Sequence, residues 1–181
     1  SVVASGFADL SAAVEIPALL MGGVGLTGGG VAVPMGAKAL PENETFAALI
    51  GLEQTRLIRA LAEERRAVAQ AYGVRGLPET ETWIAAFAGA DRGEGSRPVP
   101  DAETARAMMR DGVIGSLVPL VSAADLAGVA VPQTKALMAA VGAILDADVA
   151  AAGRRLENMG ITAKTADDAR RAFDAITTGG H

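Results

Sequence analysis

Apolar residues recur at helical intervals over most of this chain, and strand signals are nearly absent outside residues 24–35. The longest periodic stretch places Phe46, Leu49, Ile50, Leu57, Leu61, Val68 and Tyr72 at spacings of 3, 4 and 7. It predicts a helix over 43–72, opened by Asn43 after Pro41 and closed by Gly73. Its other face carries Glu53, Arg56, Arg59, Glu63, Glu64, Arg65 and Arg66, read as a solvated surface with pairs one turn apart. Such a helix, roughly 45 Å long, lets some of those charges meet a second subunit or domain.

Residues 7–21 read as a helix interrupted at Pro17. Pro78 opens a helix through Trp83 to Gly89, with Trp83 as a packing anchor, and 90–100 is a polar Gly/Pro loop. Asp101 caps a helix through Arg110. The apolar run after Asp111 is broken by Pro119, and a short helix follows from Ser122. Further helices are expected over 133–145, over 147–158, and from a Thr165–Asp168 capping box through residue 177. The fold class is therefore all-α, a helical bundle with one long central helix. Residues 1–161 are its main body, and 162–181 are an appended polar helix and tail.

Half of the 181 residues are hydrophobic, yet only 3% are aromatic. That balance favours close helix packing through small side chains. The net charge of −5 and the scattered bases leave no electrostatic footprint for nucleic acid. Cysteine is absent, which excludes disulfides and thiol chemistry and suits a cytoplasmic setting. Glu15, Pro17 and repeated glycines interrupt the apolar region 10–40, so neither a membrane span nor a signal peptide is expected there. The start at Ser1 suggests a processed or excised piece.

Two candidate chemistries change the picture little. Gly23-Val24-Gly25-Leu26-Thr27-Gly28 matches a dinucleotide fingerprint, whose glycines bring a helix N-terminus onto a pyrophosphate. The helix it needs is not supported by Gly29, Gly30, Val31, Val33 and Pro34, so an apolar loop is the simpler reading. The sole histidine, His181, lies on the terminal TTGGH. A histidine-based metal site or triad is thereby removed from the body of the domain.

The order of motifs carries more. A charged Glu-Arg-Arg helix ending in Ala-Tyr-Gly precedes Leu77-Pro78 and Trp83, then Arg106 with Asp111. Next come Gly115-Ser116-Leu117-Val118-Pro119, Gly128-Val129-Ala130-Val131-Pro132 and Ala152-Gly153-Arg154. Over residues 10–161 this resembles the helical C-terminal domain of the octopine/nopaline (opine) dehydrogenases. The resemblance implies an NAD- or NADP-dependent oxidoreductase that reduces the imine of an amino acid and a 2-oxo acid. It also implies a homodimer, with the nucleotide held by a separate Rossmann-type domain.

On the same footing, Asp111 becomes the acid/base or orienting carboxylate, Arg106 a clamp for a substrate carboxylate, and Ser116 a further substrate contact. The family's histidine position falls on Glu15 in Glu15-Ile16-Pro17, so Glu15 is the candidate for its role. A glutamate there needs its pKa raised by burial to pass a proton near neutrality. The chain alone is expected to be inactive. A second reading is a helical dimerisation or scaffold module without chemistry, in which Asp111 merely caps a helix or pairs with a surface base. A third, a ketopantoate-reductase-like or 6-phosphogluconate-dehydrogenase-like helical domain, would lean on Lys38, Lys135 or Lys164.

Overall fold

The computed structural model describes residues 6–22, 45–89 and 97–177, with the side chains of 86–89 and 176–177 left aside. The Gly23–Gly28 fingerprint, Lys38, Asn43 and His181 lie outside these residues. Six helices make up the described fold, which contains no strand, so the all-α bundle stands. They are α1 (Ser11–Met21), α2 (Leu52–Ala71), α3 (Thr80–Gly89), α4 (Ala102–Ala127), α5 (Pro132–Leu145) and α6 (Ala166–Thr177).

α1 is the buried centre. Ala12, Ala13, Val14, Ile16, Ala18 and Leu19 are all shielded, and the helix packs against both α2 and the first half of α4. Small residues set the approach: a Cβ added at Gly112 of α4 would lie 3.1 Å from Ile16 Cδ1 and 3.4 Å from Ala12 Cβ. α5 covers α2 and α4, α3 lies against α2, and α6 rests on the second half of α4.

The long helix predicted over 43–72 starts later. Phe46–Leu49 form a separate 3-10 turn whose Phe46 and Leu49 are buried, and Gly51 is extended. Gly51 N–H donates to Gln54 Oε1 at 3.1 Å, and Thr55 Oγ1 donates to Gly51 carbonyl oxygen at 2.8 Å, so the helix opens there. It ends as expected. Gly73 takes φ +73°, and Val74 N–H reaches back to the Ala69 carbonyl at 2.9 Å.

A larger correction concerns 102–127. In place of a helix, a break at Pro119 and a new helix from Ser122, one helix runs through. It is opened by Asp101, whose carboxylate accepts from Thr104 N–H at 2.7 Å. Residues Val113–Leu117 form a π-turn, in which Val118 N–H bonds back five residues to the Val113 carbonyl. The same widened pitch would send the next amide to Ile114, but Pro119 has no N–H to give. The Ile114 carbonyl accepts instead from Arg154 N–H at 3.2 Å. The proline thus marks a change of helical pitch rather than an end.

α4 is also the one described helix long and apolar enough to cross a membrane. Half of its most apolar window is already buried against the other helices, as the core helix of a bundle would be.

The helix expected over 147–158 is instead a series of turns closed by a 3-10 turn at Glu157–Met159. Asp148 Oδ1 accepts from Ala151 N–H at 3.0 Å, and Gly153 presses onto Val118 so closely that an added Cβ would sit 2.4 Å from it. Of the predicted capping box at Thr165 the side-chain cap forms, with Asp168 N–H donating to Thr165 Oγ1 at 3.1 Å. The helix it opens is no loose appendage, for its Ala169 is completely buried.

Candidate functional site

Arg65 stands on the inward face of α2. Leu61 and Ala62 lie one turn before it and Val68 and Ala69 one turn after, all buried, so a side chain at 65 must enter the core. Only 4% of the residue is exposed. Taking a guanidinium out of water costs several kcal/mol unless its donors are met. Nη2 donates to Ser116 Oγ at 2.8 Å and Nη1 to the Gly6 carbonyl at 3.3 Å. Nε is buried with no hydrogen-bond partner among the described residues.

Burial pulls the Arg65 pKa down and the nearby Asp9 charge opposes that fall; arginine remains cationic across the accessible pH range. Partial burial pushes the Asp9 carboxyl up. Its bonds to Ser11 and the charge of Arg65 outweigh this, and hold it below the ordinary aspartate value.

Arg65 forms part of the wall of a cavity of about 440 Å³. Its polar wall is Arg65, Ser116 and Gly115 from the π-turn, with Asp9 and Arg154 contributing charge. The rest is apolar and includes Leu120, Leu156, Met159 and Phe173. Tyr72 also lines it, with its hydroxyl donating to the Ala123 carbonyl at 3.1 Å. Burial raises Tyr72 to about 12, so it remains a phenol.

The π-turn is what brings Ser116 here, and the Arg154–Ile114 bond ties the loop that carries Arg154 to the same turn. Because Ser116 Oγ accepts from Arg65, its own proton is left to donate. A buried fork of N–H donors, a hydroxyl donor and an apolar wall suit a small molecule bearing a carboxylate. Asp9 is the sole carboxylate in the lining, and its lowered pKa makes it a poor proton carrier near neutrality. The lining thus offers hydrogen-bond donors and apolar surface, and no carboxyl suited to passing a proton near neutrality.

Of the four candidate site residues named from sequence, Asp111, Glu15, Arg106 and Ser116, only Ser116 lines this cavity. Asp111 sits on the surface with its side chain 72% exposed, 3.3 Å from Arg110 Nε. Arg106 is on an exposed side of the same helix. Glu15 is held by Arg97 at 2.6 Å, and that guanidinium lies 4.5 Å over the Phe46 ring. The crossing of α1 and α4 at Ile16 and Gly112 runs the segments bearing Glu15 and Asp111 side by side.

Lys135 pairs with Asp125 at 2.9 Å, and Lys164 is exposed. No group of three or more acidic or histidine side chains able to hold a metal occurs among the described residues.

Sequence reasoning missed Arg65 by grouping it with its charged neighbours. The signal was its position: 65 continues the buried series Leu61, Val68 and Tyr72. Glu64 was also misplaced. Its carboxylate reaches α5 and accepts from Gln133 N–H at 2.7 Å, Thr134 N–H at 2.8 Å and Thr134 Oγ1 at 2.7 Å. It caps the N-terminus of a helix remote in sequence, where a negative charge is favoured.

Compared with known proteins, the sequence matches no protein-family model and no curated protein. What the fold and site define is a helical bundle with an open cavity that has a buried arginine in its wall.

Proposed function

We propose that this chain is the substrate-binding and dimerisation domain of an NAD(P)-dependent oxidoreductase resembling the opine dehydrogenases. It acts in the cytoplasm, beside a Rossmann-type domain that holds NAD or NADP. Its substrates are an amino acid and a 2-oxo acid. The observation that carries the reading is the Arg65–Ser116 pair in the wall of the 440 Å³ cavity. A planar guanidinium with a donor hydroxyl beside it takes one carboxylate, and the apolar wall takes the substrate's side chain.

In this reading the chemistry belongs to the surface that faces the nucleotide domain. Exposure of Asp111 and Arg106 fits a site completed by another domain, and the Glu15 segment runs alongside. Calorimetric titration of the chain with pyruvate and with alanine tests the binding role. Saturable binding that weakens at least about tenfold in Ser116→Ala, the loss of roughly one charge-assisted hydrogen bond, is expected. No heat at millimolar ligand sinks it.

The second reading, a dimerisation or scaffold module without chemistry, draws on the pairing of Asp111 with the surface base Arg110. It predicts a stable dimer whose properties Asp111→Asn leaves alone. It also predicts no nicotinamide oxidation when a nucleotide domain is supplied.

A further inference from the structure

The cavity has a wall that the family resemblance does not cover. The resemblance ends at residue 161, yet α6 beyond it supplies Phe173 to the lining. That helix is fixed to the body at two points: Ala169 is fully buried where α6 rests on α4, and Arg170 lies against Gly73 at the end of α2. The last contact is close: a Cβ at Gly73 would come within 2.7 Å of Arg170 Nη1. Ala169 and Arg170 thus seat the helix, and Phe173, one turn beyond Ala169 on the same face, is delivered to the cavity.

From this seating we propose that Phe173 is a specificity-determining residue, and that its ring limits the size of the side chain a carboxylate ligand can place in the cavity. The inference rests on the carboxylate-binding reading above. Arg65 and Ser116 fix the head group, which has the same chemistry in every 2-oxo acid. Discrimination between ligands then falls to the apolar wall, whose aromatic side chains are Phe7, Tyr72 and Phe173; the Phe7 and Tyr72 rings pack on each other at 5.7 Å, while Phe173 is half-buried and comes from α6 alone. A hydrophobic pocket discriminates by the space it leaves, at about 10- to 200-fold per methylene-sized difference. Replacement of the ring therefore changes the ratio of affinities and leaves the head-group contacts in place.

The test is a titration of the full 181-residue chain with pyruvate and with phenylpyruvate, for the wild type, Phe173→Ala and Phe173→Leu. The ratio of the two dissociation constants should move toward phenylpyruvate by about tenfold or more in Phe173→Ala, and by less in Phe173→Leu. Far-UV circular dichroism establishes that each variant is folded, and Phe173→Leu carries the test if the alanine variant is not. Binding of both acids with a ratio unchanged within about twofold in the folded variants overturns the role of Phe173 while leaving the carboxylate site intact. If the wild type binds neither acid, the carboxylate reading fails, and the role of Phe173 falls with it.

Discussion

Arg65 and Ser116 are 51 positions apart in the chain, and their side chains meet at 2.8 Å inside the protein. One comes from the middle of α2, the other from the π-turn of α4. A buried charge joined to a neutral hydroxyl is a poor way to gain stability, because the hydroxyl returns only part of the lost hydration. In the proposed function the pair is a binding device, and the cost of burying the charge is met by the ligand.

That view sets a sharp expectation for Arg65→Met. The thioether replaces the stem of the arginine, buries well and carries no charge to desolvate. Urea unfolding should show stability equal to wild type within about 1 kcal/mol, or higher. Pyruvate binding by calorimetry should be lost. A loss of several kcal/mol in stability would make Arg65 a structural residue first.

Glu64→Ala should cost about 2 kcal/mol in the same measurement, since two amides and a hydroxyl at the start of α5 lose their acceptor together. Glu64→Gln keeps an acceptor oxygen without the charge, and should cost about half as much. Equal costs would place the effect in charge alone.

These two neighbours show where sequence was legible and where it was not. Helix existence, the all-α class, the caps at Asp101 and Thr165 and the glycine stop at Gly73 depend on local chemistry, and local chemistry is written in order along the chain. The fates of Glu64 and Arg65 depend on what arrives from residues 133 and 116. A charged pair in a run of charges does not announce that one member points inward. Only the phase of position 65 with Leu61 and Val68 hinted at it. Pro119 misled for a related reason: its missing N–H predicts a break, and the amide of Arg154 that completes the Ile114 carbonyl comes from another element. Of the candidate site, Ser116 was found and the cavity around it was not.

Gly153→Ala should destabilise the fold by about 1–3 kcal/mol, the usual cost of overpacking. The new methyl would overlap the Val118 side chain at 2.4 Å, with Val118 itself only 2% exposed. Thermal unfolding of Gly153→Ala beside Gly160→Ala separates contact from conformation. Gly160 has open space around it but a φ of +79°, so its penalty is one of backbone geometry alone.

The Asp9 carboxyl adds a pH dependence. Its folded pKa lies below the ordinary value of about 3.9, so its stabilising effect is complete above that range and disappears as pH falls through the lower folded pKa. The difference in melting temperature between wild type and Asp9→Asn should therefore be largest near neutrality and shrink on acidification below about pH 4. A difference that grows with acid would reverse the assigned sign.

Asp111→Asn should leave the melting temperature unchanged, because an exposed pair such as Asp111 with Arg110 is worth about 0–1 kcal/mol at most. If a nucleotide domain is supplied and turnover appears, the same substitution should abolish it. Unimpaired turnover in Asp111→Asn would remove Asp111 from the chemistry.

The π-turn of α4 has a last consequence, for how this chain tolerates length changes. A single widened turn holds one more residue than the α-helix that would span the same distance. Removal of one residue from 113–117 would let the faces on either side keep the phase they have now, but the tightened turn would press the Pro119 ring onto the carbonyl four residues before it, at a cost of about 3 kcal/mol. The widened turn is thus what allows the proline to sit inside a continuous helix. What the shortened helix would lose is the slack that turns Ser116 toward Arg65. Ser116 thus sits on the turn that reconciles Pro119 with an unbroken helix.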